Sequence, residues 1–164
     1  MAAMLMGAWS LQSCDNEPTK EVWLDEFGQD SCYVQDWGML EVNRSVVHTP
    51  LTVNGVVYER GLGAHSISRL LYDLDGKAVS ISGLAGADDK NLFAGKLQFK
   101  ILGDKKELWK SGVMQKGDPV KEFNVNLKGV DKVLLLVEEC GDGIMYDHAD
   151  WLNVKITTRG DVKP

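Results

Sequence analysis

Proline is scarce in this 164-residue chain, four residues in all, and cysteine and histidine are scarcer, three of each. Positive charge is also short. Eighteen Lys and Arg against 24 Asp and Glu leave a formal charge of −6, so there is no broad basic patch to meet nucleic acid or an anionic membrane surface. The helical period is hard to find after residue 20. No G-x-S-x-G occurs, and neither Cys32 nor Cys140 sits in a recognisable nucleophile context. No EF-hand loop is present, because "DGIMYDHAD" lacks its spacing and its closing Glu. No pair among His48, His65 and His148 has the spacing of a transition-metal site.

What is present is glycine and period-two alternation. Seventeen glycines imply many tight turns between short elements. "LQFKI" (97–101), "FNVNL" (123–127) and "LNVKI" (152–156) each alternate apolar and polar residues, the pattern of half-buried strands. "VLLLV" (133–137) is apolar on both faces, as a covered central strand should be. Turn signals stand between them at 74–77, 102–106 and 127–132. Six to nine short strands at this spacing predict an all-β protein, a β-sandwich. A length of 164 residues suits one domain with a substantial core.

Three segments are expected. Residues 1–21 contain the apolar run "MAAMLMGAWSLQS" followed directly by Cys14, similar to the tail of a bacterial lipoprotein signal that ends at a lipidated cysteine, although no basic residue precedes the run. The run is too short to span a bilayer. Membrane contact is expected only through lipid at Cys14, which would make the protein exported. Residues 22–158 form the sandwich, and 159–164 read as a linker.

The loops are expected to gather at one end. A hairpin of 67–74 with 77–84, closed by Asp75-Gly76, sets "GLGAHS" (61–66) beside "GADDKN" (86–91). A second hairpin, 121–127 with 132–138, followed by an antiparallel strand at 151–157, brings "CGDGIMYDHAD" (140–150) to one end. If the first strand lies next to the last, "GQDSCYVQDWG" (28–38) emerges there too. The cluster then carries Trp37, His65, Asp88, Asp89, Asp147 and His148, and the same geometry brings Cys32 and Cys140 close enough for a possible disulfide.

The ordered set "LTVNGVVYERGLGAHS", "GLAGADD", "LWKSGVM" and "GDGIMYDHADW" resembles the NPCBM family, carbohydrate-binding module family 51, from about Val22 to Thr158. The resemblance implies a galactose-binding-like (jelly-roll) sandwich with no catalysis of its own, often appended to a glycoside hydrolase that acts on galactose-containing glycans. It also implies a structural calcium ion, for which Asp25, Asn43, Asp150 and Asn153 are the candidate ligands. Lys90 and the Asp36-Trp37-Gly38 stretch depart from the family's pattern, which bears on sugar preference, and Asn153 stands where the family commonly has Asp.

Each candidate has a plain structural alternative. Trp37 is either the platform for a pyranose face or a core tryptophan. His65 either reads one hydroxyl or pins its loop, and His148 is read chiefly as a structural partner of Asp147 or Asp150. Asp88, Asp89 and Asp147 can accept sugar hydroxyls; Asp88 with Asp147 could in principle form a hydrolytic carboxylate pair. A shallow loop end excludes water poorly, which favours binding over catalysis. An adhesion or protein-docking sandwich without sugar specificity is the alternative function.

Overall fold

The computed structural model describes residues 18–27 and 32–162. Cys14 and nearly all of the tether fall outside them. Among the described residues the regular structure is strand, with one 3₁₀ turn at Leu24–Phe27. In chain order the strands are β1 (Thr19–Trp23), β2 (Cys32–Gln35), β3 (Glu41–Val42), β4 (Leu51–Val53), β5 (Val56–Tyr58), β6 (Gly61–His65) and β7 (Ser68–Asp73). They continue with β8 (Ala78–Ala87), β9 (Leu97–Gly103), β10 (Lys106–Met114), β11 (Lys121–Asn126), β12 (Lys132–Glu139) and β13 (His148–Arg159).

Two antiparallel sheets face each other. One runs β11-β8-β13-β6-β3, with β1 sharing the β6 edge of β13; the other runs β10-β9-β12-β7-β2. β6 pairs with the first half of β13 and β1 with the second, Val22 opposite Ile156. The alternation in β9 points Leu97, Phe99 and Ile101 inward, and that in β13 points Trp151 inward. Phe99 and Phe123 meet the Trp151 ring edge-to-face at centroid distances of 4.9 and 5.7 Å, a favoured aromatic geometry. The pattern also shows why Asp150 and Leu152 point the other way, to the outer face, where the β4–β5 hairpin covers them with Leu51 and Val53. Gly86 allows that cover to lie close: a Cβ there would meet the Val53 side chain at 2.7 Å.

Neither predicted hairpin forms. β7 and β8 belong to different sheets, as do β11 and β12. The Asp75-Gly76 turn, with φ of 52° and 64°, is an arch across the core. Period two identifies the inward side of a strand, but the inward sides of both sheets alternate alike, so it does not assign a strand to a sheet. An arch reverses the chain as a hairpin does, and the loops still share an end: His148 pairs with His65, Ala149 with Ala87, and Gln35 with Ser68.

The cysteine pair is a second correction. Cys32 is level with Leu71, and Leu71 with Leu134. Cys140 lies six residues beyond Leu134, roughly 20 Å further along the strand direction at ~3.3 Å per residue, far outside disulfide reach. Cys140 carries a free thiol. The expected boundaries also move. The first strand starts at Thr19, three residues before the predicted domain. Past β13, Val162 still packs against the core, where a linker had been expected.

Candidate functional site

At the shared loop end, Trp37, His65 and His148 converge. The Trp37 and His148 rings are parallel within 5° at a centroid distance of 5.6 Å. His65 tilts against both, at 5.1 Å from Trp37 and 5.5 Å from His148. With Ile144, Met145 and Tyr146 they line an open cavity of about 250 Å³. Both imidazoles are buried in the sandwich end, whereas Trp37 is 48% exposed. Trp37 is therefore not a core tryptophan.

Backbone bonds place these rings. Gln35 ends β2, accepts the His65 N–H at 3.1 Å and donates from Nε2 to the Trp37 carbonyl at 2.8 Å. Asn91 clamps His148: its Oδ1 accepts the His148 N–H at 2.8 Å and its Nδ2 donates to the His148 carbonyl at 3.0 Å. On the far wall Gly95 lets two loops touch, since a Cβ there would lie 2.8 Å from the Met145 and Tyr146 carbonyl oxygens. Tyr146 takes a φ of 67°, a left-handed conformation uncommon outside glycine.

The electrostatics make the rings neutral donors and acceptors. Burial lowers the His65 pKa against the opposing pull of the Ser66 carbonyl and Asp36. His148 is lowered by burial and then by His65. The Ser66 carbonyl can only accept, so the 2.5 Å contact to His65 Nδ1 assigns the proton to Nδ1 and leaves Nε2 as the acceptor. Asp147 is fully buried behind the cavity; burial raises its pKa to about 6, while the Ser66 hydroxyl donates to its Oδ2 and Asp142 and Glu139 push further upward.

Three of the predicted ligand contacts are elsewhere. Asp147 does not line the cavity. Asp88 is buried and accepts the N–H groups of Thr52 and Lys90 at 3.3 and 2.6 Å. Asp89 accepts those of Asn54 and Gly55 at 3.0 and 2.7 Å. Both fasten the β4–β5 hairpin to the sheet. Asp150, entirely buried, faces Asp88, and its carboxyl is raised well above the usual range by burial first and then by Asp88 and Asp89. Neither of its oxygens has a hydrogen-bond partner. The cavity residues missed from sequence are Ile144, Met145 and Tyr146, with Gln35 and Asn91 as their supports.

The four proposed calcium ligands do not fit an ion. Asp25 is held by the Arg60 guanidinium at 2.8 Å, and Asn43 Oδ1 accepts the Gly61 N–H at 2.9 Å. Asn153 reaches the same place only through its backbone N–H, which donates to the Arg60 carbonyl at 3.0 Å. Asp150 lies beside Asp88 instead. Where three of the four converge, Arg60 already supplies the positive charge. No group of three acidic, His or Cys side chains among the described residues could hold a metal.

An antiparallel sandwich with an aromatic, half-open cavity at its loop end defines a binding module. Residues 20–157 match the NPCBM/NEW2 domain, and the chain belongs to that family. It is 29% identical over 130 residues to the alpha-1,3-galactosidase B of Akkermansia muciniphila, covering 77% of this chain and 16% of that protein. A second relative, from Renibacterium salmoninarum, is matched over 10% of its length, so the chain spans a small part of the relatives it resembles. The CBM51 of the Clostridium perfringens GH95 protein, solved with methyl-galactose, superposes with a TM-score of 0.76 at 24% identity, covering 84% of this chain and 99% of that one. The structure of C. perfringens ZmpB containing its M60 catalytic domain and two CBM51 domains gives 0.77 at 28%, covering 86% and 15%. The chain is a carbohydrate-binding module of the CBM51 type.

Proposed function

We propose that this module binds the terminal sugar of a galactose-containing glycan at the Trp37–His65–His148 cavity, without catalysis. It would thereby hold an attached or partner glycoside hydrolase against its substrate. The observation that carries this is the half-exposed Trp37 ring beside two buried, neutral imidazoles. An indole face covers the apolar C–H face of a pyranose, and neutral ring nitrogens donate to and accept from its hydroxyls. Binding rather than hydrolysis is supported by the lining, which contains no carboxylate, whereas glycoside hydrolysis usually needs two flanking the bond. The choice of galactose, and of a galactoside-cleaving partner, is supported by the methyl-galactose complex of the C. perfringens module and by the A. muciniphila galactosidase. Export with lipid at Cys14 belongs to the same reading and is supported by the sequence "LQSC" alone.

One ring stack and a few hydrogen bonds amount to about 4–6 kcal/mol, a dissociation constant in the high micromolar to millimolar range. Weak sites suffice when tethering raises local concentration. A calorimetric titration against methyl galactoside, beside a glycan array, tests the reading. Saturable binding in that range is expected. Silence across all glycans from folded protein would turn the module into a protein-docking domain.

A further inference from the structure

The cavity, at about 250 Å³, falls below the ~300–1,000 Å³ of drug-sized ligand sites. It suits one sugar ring. Anything attached to that ring must leave over the rim, and on the Tyr146 side the rim is neither bare backbone nor charge. Phe93 packs edge-on against Tyr146 at a centroid distance of 4.9 Å and an angle of 71°, yet it remains 66% exposed. Its neighbours Leu92 and Met145 are 75% and 70% exposed. Tyr146 is thus shared between the cavity wall and this second aromatic surface.

Resting on the sugar-binding reading above, we infer that Phe93 and Tyr146 form a second subsite. It receives the sugar ring next to the terminal one, so that the module's ligand is a disaccharide unit or longer. Two features favour a pyranose over a lipid chain or a protein surface. The patch is continuous with the sugar cavity through one residue, and its apolar residues are flanked in sequence by the exposed Lys90, Lys96 and Asp142. A ring with one apolar face and a fringe of hydroxyls matches a small aromatic surface with a charged border. The platform is also held in place: Gly95 seats the 92–96 loop directly on the Met145 and Tyr146 carbonyls, and the Lys96 N–H donates to Asp142 Oδ2 at 3.2 Å.

The test is calorimetry on the full chain with methyl galactoside, with α- and β-linked disaccharides carrying galactose at the non-reducing end, and with octyl galactoside. Wild type, Phe93→Ala and Phe93→Tyr are compared. At least one disaccharide should bind wild type about three- to tenfold more tightly than methyl galactoside, the gain expected of one aromatic stack. That gain should vanish in Phe93→Ala and persist in Phe93→Tyr, while methyl galactoside binds all three proteins within about twofold. The subsite is overturned if no disaccharide exceeds methyl galactoside, if the gain survives Phe93→Ala, or if octyl galactoside alone shows it. If methyl galactoside fails to bind wild type, the fault lies in the parent reading, and the subsite falls with it.

Discussion

His65 shows how one contact sets a residue's chemistry. With its Nδ1 proton committed to the Ser66 carbonyl, Nε2 can accept a sugar hydroxyl only while the ring is neutral. Burial lowers its pKa below the ordinary 6.5. Sugar affinity should therefore be flat from about pH 7 to 8 and fall as the ring gains a proton below that range. Calorimetry across pH 4.5–8 checks this, and affinity rising on acidification would contradict the tautomer. Asp147 makes a separate prediction. Its folded pKa of about 6 lies above the usual 3.8, so the folded state binds the proton more tightly. Its contribution to stability is present at low pH and is lost as pH rises through that interval. In Asp147→Asn, the slope of stability against pH between about 4 and 6 should shift upward relative to wild type, measured by urea unfolding. That Trp37 and His65 meet at the loop-end cavity was legible in sequence because an aromatic or imidazole beside small residues carries its own chemical signal. Asp88, Asp89 and Asp147 were misread because a carboxylate on a loop gives no sign that it will turn inward to cap backbone N–H groups.

At the level of elements, the site depends on two loops meeting, 88–96 and 140–148. Gly95 leaves no room for a Cβ between them. Gly95→Ala would force the Met145–Tyr146 wall away and should weaken methyl galactoside binding by about tenfold or more, with Tm lowered by a few degrees. Unchanged binding would show that the wall does not touch the ligand. Ile144, Met145 and Tyr146 escaped notice in sequence because apolar residues within an acidic loop read as packing, and nothing in the letters forecasts a positive φ at tyrosine. The Asn54-Gly55 hairpin turn, by contrast, is a strong local signal that the reading passed over. It closes β4–β5, the very cover under which Asp88 and Asp150 are buried.

For the whole molecule, the sandwich class followed from alternation, although thirteen strands form among the described residues where six to nine were expected, and the shared loop end followed from chain reversal at each turn. Which strands pair did not follow, because arches and hairpins have the same local sequence; the Cys32–Cys140 proposal failed because Cys32 begins the strand β2, away from the loop end that carries Cys140. Thiol titration of unreduced, folded protein should find Cys140 free, and reductant should leave Tm unchanged. A reductant-sensitive Tm would contradict the register of β2, β7 and β12.

The central claim is that the exposed Trp37 face is where sugar binds. Trp37→Ala should leave Tm within a few degrees of wild type, since the ring is half in solvent, and should abolish measurable binding of methyl galactoside. The most direct measurement is therefore a side-by-side titration of wild type and Trp37→Ala with that sugar, each confirmed folded by its unfolding transition. Binding to wild type that vanishes in the variant is the predicted result; equal binding by both would move the site elsewhere on the molecule.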